Sequence, residues 1–239
     1  MAIDADHFYD KAVLLSGATG ELGRELTNQL LERGARVALV VRKPWQVDRV
    51  REQVGSGDTL VACVPSQDAQ AAAGAVKGAE DALGPIESFL CPSGAFAAGQ
   101  VGQDPSGQLQ NLLEANVLAG ATLARAVVGP MKRRRTGSLV FVGSSAVGSG
   151  GAGLANYLAS KAALAEWVRA LADELREVGV RAAAVLPGTI DTQANRKAMP
   201  DANRAEWLPL AAVARAILSC AEGSLSGSGP LYPLAPTGV

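Results

Sequence analysis

Tyr157 and Lys161 stand four residues apart, one turn of a helix, so on a helix their side chains share a face. A phenol has an ordinary pKa near ~10, and a neighbouring ammonium favours its ionised form. The pair is therefore a candidate general acid/base with a lowered pKa. Ser144 and Ser145 close the apolar run at 138–143, shortly before Tyr157. A hydroxyl there can hydrogen-bond a substrate carbonyl, although turns also favour serine. Asn116 falls on the same stripe as Leu109, Leu113, Leu123 and Val127. A buried amide costs ~1–3 kcal/mol unless it is hydrogen-bonded. It either bonds a loop carbonyl or kinks the helix and holds a water near the reacting groups. Gly17, Gly20 and Gly23, spaced by three in SGATGELG, permit a tight turn and let backbone N–H groups approach a pyrophosphate. Glu21 sits oddly there, because a carboxylate repels phosphate unless it points away.

These residues need elements that bring them together. Lys11–Ser16 is a short apolar run that stops at Gly17, and Leu22, Leu26, Leu30 and Leu31 then mark one face of a helix ending at Gly34. Arg36–Val41 reads as a buried strand. Apolar runs near 59–64, 86–91, 138–143, 180–186 and 229–233 alternate with helical stretches near 44–53, 68–83, 107–131, 156–178 and 211–221. Seven short strands separated by helices specify an α/β, Rossmann-like, doubly wound parallel sheet with helices on both faces. One such domain spans 1–239, with a tail over 1–10. SGSG at 226–229 reads as a turn. Ligands of these sheets bind at the carboxyl ends of the strands, where strand order reverses.

Composition removes several chemistries. Hydrophobic residues make up 48% and charged residues 19% of 239, enough for a core and too apolar for disorder. His7 is the one histidine, so a Ser-His-Asp hydrolase and a His-rich metal site are excluded, and no metal is expected. Cys63, Cys91 and Cys220 form no C-x-x-C pair, which fits a reducing, cytoplasmic setting. A net charge of −1 lacks the footprint of a nucleic-acid binder. The N-terminus carries no signal-peptide pattern, and no apolar run reaches the ~18 residues of a membrane span. Lys132, Arg133, Arg134 and Arg135 read as a solvated helix end rather than a phosphate site.

The end of the second strand bears on the choice of nucleotide. An NAD ribose is usually held by an Asp or Glu there. This chain has Val41 followed by Arg42 and Lys43, two cations and no carboxylate, which favours a 2′-phosphate and hence NADP(H) over NAD(H).

In this order and spacing, the glycine turn, Asn116, Ser144 and Tyr157-Leu-Ala-Ser-Lys161 resemble the short-chain dehydrogenase/reductase family over about 11–234. The resemblance implies that Tyr157 protonates a carbonyl oxygen as hydride arrives from nicotinamide. It implies that Lys161 lowers the tyrosine pKa and binds the nicotinamide ribose, that Ser144 orients the carbonyl, and that Asn116 holds a relay water. Gly17, Thr19, Gly20, Leu22, Gly23 and Gly94 become cofactor contacts, as do Pro187, Gly188, Ile190 and Thr192 of the Pro-Gly segment. A homodimer or homotetramer built through the helices near 107–131 and 156–178 is implied as well. Three departures concern the cofactor pocket. Glu21 replaces a glycine, Cys91-Pro-Ser-Gly94 replaces Asn-Asn-Ala-Gly, and Val64-Pro65 replaces an adenine-binding Asp. The stretch 186–210, with Leu90-Cys91 and Gly94, also resembles quinonoid dihydropteridine reductases. It supplies a short substrate lid over 193–208, with Met199 and Trp207 as apolar contacts. The leading reading is an NADPH-dependent reductase of a small-molecule carbonyl. A pterin reductase and a non-catalytic nucleotide sensor are the alternatives.

Overall fold

The computed structural model describes residues 7–54, 59–103, 107–225 and 229–235. Seven parallel strands form one sheet: β1 Ala12–Ser16, β2 Arg36–Val41, β3 Thr59–Cys63, β4 Ile86–Cys91, β5 Ser138–Val142, β6 Arg181–Pro187 and β7 Leu231–Leu234. Their order is β3-β2-β1-β4-β5-β6-β7. The helices are α1 Glu21–Glu32, α2 Trp45–Val54, α3 Ala69–Leu83, α4 Gln108–Leu113, α5 Ala119–Arg134, α6 Ala155–Arg176, α7 Gln193–Ala198 and α8 Leu210–Glu222.

The central runs are apolar throughout because both faces of the sheet are covered. In β1, Ala12 and Leu14 face a layer that includes Val76 of α3, Val127 of α5 and Val168 of α6. Val13 and Leu15 face the other layer, with Leu26 of α1, Val50 of α2 and Ile217 of α8. Leu14 is in register with Ala38 on one side and Phe89 on the other. Strand order reverses between β1 and β4, and the loops leaving their carboxyl ends diverge into a crevice.

One connection breaks the handedness rule. Parallel crossovers are right-handed in about 98% of cases, which would put the helix between β6 and β7 beside α6. Instead α8 packs in the layer of α1 and α2, so β6–α8–β7 is left-handed. The chain has to change faces after β6, and residues 188–209 make that passage.

Four expectations are adjusted. Phe8, inside the expected tail, is 1% exposed and packs in the α1 layer. The helix expected over 107–131 is α4, a π-helical turn at Glu114–Leu118 and α5. The basic run is more than a solvated end. Arg134 donates to Glu80 Oε1 at 2.9 Å and to the Ile86 carbonyl at 2.7 Å, tying α5 to α3 and β4, and Lys132 pairs with Glu174 at 2.6 Å. Gln108–Arg134 is, at 27 residues, long and apolar enough to cross a membrane, yet its apolar stripe is part of the α3/α5/α6 core. The turn expected at 226–229 lies, except for Gly229, outside the described residues.

Candidate active site

The glycine loop is a cradle that side chains would fill. Gly17 has φ +70°, and a Cβ there would lie 2.9 Å from Ser93 Oγ. A Cβ on Gly23 would lie 2.1 Å from the Gly17 carbonyl oxygen. Gly20, whose N–H donates to that oxygen at 3.0 Å, is the N-cap of α1 and has no side chain to accept from the first-turn amides. Uncapped amides at the positive end of a helix are an anion site. A cleft opens there and is lined by the loop, including Thr19, together with Arg42, Val64, Pro65, Ser93 and Gly94. The cradle and the uncapped helix start fit a dinucleotide.

Not every expected contact reaches this cleft. Arg42 lines it, and no hydrogen bond or ion pair among the described residues engages its guanidinium. Lys43 is exposed and outside the lining. The side chain of Leu22 packs against the core beneath α1. Pro187 ends β6, Gly188, Ile190 and Thr192 follow it, and none of the four lines the cleft. The Pro187 carbonyl accepts from Ser145 N at 3.0 Å, and Gly188 N donates to Leu234 at 3.2 Å. Ile190 bridges to Leu208, and Thr192 Oγ1 caps α7 by accepting from Asn195 N at 3.1 Å. At the adenine end, Val64 N is spent on the Val41 carbonyl at 2.8 Å, and Pro65 has no N–H.

Four polar side chains gather at the carboxyl ends of β4 and β5. Asn116 sits in the π turn, buried, with both ends of its amide engaged. Its Oδ1 accepts from Ala95 N at 2.7 Å, and its Nδ2 donates to the Ala95 carbonyl at 3.1 Å and to Ser160 Oγ at 2.8 Å. The amide thus bonds a loop carbonyl, and the residue stands at a break in helical geometry. Lys161 is 5% exposed, and its Nζ donates to the Val142 carbonyl at 2.9 Å. Gly94 is where the two meet: a Cβ there would lie 2.9 Å from Asn116 Oδ1 and 3.2 Å from Lys161 Nζ. Ser144 is buried and its hydroxyl acts on the Tyr157 phenol, whereas Ser145 is exposed.

The electrostatics correct one expectation. Burial pushes the Tyr157 phenol above its ordinary value, and the Ser144 hydroxyl pulls it back only in part. Lys161 turns its ammonium to the Val142 carbonyl. Burial brings Lys161 itself from 10.5 down to about 8, against a small opposing effect of Cys91.

Some functional groups were beyond sequence reasoning. Ser93 meets Ser16 Oγ at 2.7 Å, and Ser16 also donates to Cys91 Sγ at 3.3 Å, which fills the place of the missing Asn-Asn pair. Gln46 Oε1 accepts from both Arg42 N and Lys43 N, at 3.1 and 3.0 Å, and fixes the loop that carries Arg42. Phe96, 56% exposed, sets its ring edge-on to Tyr157 with centroids 4.9 Å apart. An aromatic two residues past Gly94 was the available signal for it.

A doubly wound sheet with a glycine cradle at its crevice, and a Tyr, Lys, Ser and Asn beside it, defines a nicotinamide-nucleotide oxidoreductase. Residues 11–203 match the short chain dehydrogenase family model, and the chain belongs to that family. It is 29% identical over 185 residues to an uncharacterized oxidoreductase of Myxococcus xanthus, covering 77% of this chain and 73% of that protein. It is 27% identical over 198 residues to the 3-oxoacyl-[acyl-carrier-protein] reductase FabG of Vibrio harveyi, covering 83% and 80%. The fold matches that of ElxO, solved with NADP bound, at a TM-score of 0.84 and 16% identity, over 93% of this chain and 96% of that one.

Proposed function

We propose that the chain exchanges hydride between NADP(H) and a small-molecule carbonyl/alcohol pair, with Tyr157 as the general acid/base. The observation that carries this reading is the convergence of Asn116 and Lys161 on Gly94, with Ser144 and Tyr157 alongside and a phosphate cradle in the same crevice. The nicotinamide nucleotide, when bound, supplies or takes up the hydride. The cradle around Gly17, Gly20 and Gly23 holds its pyrophosphate through backbone N–H groups. Arg42 meets the 2′-phosphate, with Lys43 adding charge nearby. The Tyr157 phenol donates its proton to the carbonyl oxygen, which Ser144 orients. Lys161 offers its ammonium to the ribose hydroxyls. Asn116 fixes the Ala95–Phe96 wall and leaves one lone pair of Oδ1 for a water that relays protons. Pro187, Gly188, Ile190 and Thr192 frame the nicotinamide end.

Calorimetric titration with NADPH and NADH in parallel tests the cofactor half. The expected result is micromolar NADPH binding with NADH at least tenfold weaker, about 1.4 kcal/mol. Equal or better NADH binding overturns the role of Arg42. The chemistry is tested with a carbonyl panel that includes simple ketones, a 3-oxoacyl thioester and quinonoid dihydropterin. Turnover of a ketone or thioester, lost in Tyr157→Phe with cofactor binding intact, supports the reading. Turnover of the pterin alone replaces it with the pterin-reductase reading.

A further inference from the structure

We propose that Glu21 is a positioning residue that fastens the 192–206 segment over the glycine loop before any cofactor arrives. Its carboxylate belongs to the first turn of α1, and both of its oxygens accept from the backbone N–H of Gln193, at 3.0 and 3.1 Å, across 172 residues of chain.

Apolar burial does not hold this segment in place. Neither α7 nor the short helical turn at Arg204–Glu206 contains a buried residue. Its remaining hydrogen bonds are internal. Asp191 holds Arg196 with two bonds of 2.6 and 2.7 Å, and Asn195 Nδ2 donates to the Ile190 carbonyl at 2.8 Å. At the base, Leu208 N donates to Thr189 at 2.7 Å, Asp191 N donates to Leu208 at 2.8 Å, and Trp207 and Leu208 are buried. The segment is thus a self-braced unit standing on a packed base. Among the described residues, Glu21 supplies the only hydrogen bonds to 192–206 from outside 188–209. A rigid body on one anchored edge is steered by its single outer contact, and that contact lies on the cofactor cradle. The contact also accounts for a carboxylate in a phosphate loop: its oxygens are turned to Gln193, and it feels the Arg196 guanidinium. The effect on cofactor rests on the reading given under Proposed function, while the fastening itself does not.

Hydrogen exchange on the full chain without cofactor tests the fastening in wild type, Glu21→Gln, Glu21→Ala and Gln193→Pro. Glutamine keeps an acceptor without charge. Proline removes the donor at the first position of α7, where proline is tolerated, and so breaks the contact without altering α1. Exchange over 189–199 is expected to be at least tenfold faster in Glu21→Ala, faster to a similar degree in Gln193→Pro over its remaining amides, and within twofold of wild type in Glu21→Gln. In calorimetry with NADPH, Glu21→Ala and Gln193→Pro are expected to bind several-fold more weakly, and Glu21→Gln as well as wild type or better. Equal exchange in all four proteins overturns the proposal. So does tighter binding in both Glu21 variants with unchanged exchange, since the carboxylate would then act only by repelling phosphate. If wild type binds no NADPH, the functional reading fails while the exchange comparison still decides the fastening.

Discussion

Lys161 carries its charge where water does not reach, and the fall of its pKa from 10.5 to about 8 measures the cost. That drop corresponds to roughly 3 kcal/mol of disfavoured charge in the folded state. Because the folded pKa lies below the unfolded one, the burden is full below about pH 8 and is relieved as pH rises from there toward 10.5. Lys161→Met is therefore expected to abolish turnover and yet to raise stability by ~1–3 kcal/mol at pH 7, with the gain shrinking above pH 8. Thermal melts at pH 7 and 9 check it. Tyr157 has the opposite bias. Burial keeps it protonated through neutral pH, the form that carbonyl reduction needs. The kcat/KM of reduction is expected to be flat up to pH 7 and to fall with an inflection near 8 as Lys161 loses charge. A profile that rises through pH 8 contradicts this. The Tyr157–Lys161 pairing was legible because helical spacing puts both on one face. The sense of the tyrosine shift was not, because the ammonium turns to the Val142 carbonyl, and spacing carries no record of a partner on β5.

Among the elements, the π turn at Glu114–Leu118 decides most for the site. A π turn inserts one extra residue into a helical ladder, at a cost that some other contact must offset. Here the offset is the Asn116 amide, whose three hydrogen bonds satisfy both backbone groups of Ala95 and the Ser160 hydroxyl. Asn116→Ala is expected to cost ~1–3 kcal/mol by leaving buried partners unpaired. It should also loosen the Ala95–Phe96 wall, seen as a larger fall in kcat than in cofactor affinity. Gly23→Ala tests the cradle: its Cβ would sit 2.1 Å from the Gly17 oxygen, so the loop must shift. NADP(H) binding is expected to weaken at least tenfold in calorimetry. The helices other than α7 were legible from their apolar stripes, with ends displaced by one to three residues. The π turn was not, since the same stripe runs through it and only a partner on the β4 loop shows why the helix gives way. The basic run was half legible. Its place at a helix end was clear, but the Glu80 and Ile86 partners of Arg134 belong to distant elements.

At the scale of the whole molecule, ligand and stability are linked. A cofactor at a hundredfold its Kd adds about 2.7 kcal/mol to the folded state, and for a chain of this size each kcal/mol shifts Tm by ~2–4 °C. NADPH is therefore expected to raise Tm by roughly 5–10 °C, and NADH by less at the same concentration, as scanning fluorimetry would read. Leu109 and Leu118 remain about 40% exposed on the helical run at 108–134. If the chain assembles through that run and α6, as the resemblance implies, Leu118→Glu is expected to yield monomers in light scattering. The alternation of strands and helices made the parallel, doubly wound sheet legible. The hand of the last crossover was not, because the 2.0 and 3.6 periods say which side of an element is apolar and nothing about which face of the sheet receives it. That hand has a consequence for how the protein can be remodelled. A chain obliged to change sides at β6 lays a bridge over the strand ends, and the outer part of that bridge is braced within itself, not packed on the sheet. Residues can be added between Met199 and Asn203 with no strand or core helix displaced, and each doubling of such a loop costs only ~0.6 kcal/mol. New surface can thus be grafted at that point while Ser144, Tyr157 and Lys161 stay where the sheet and α6 hold them.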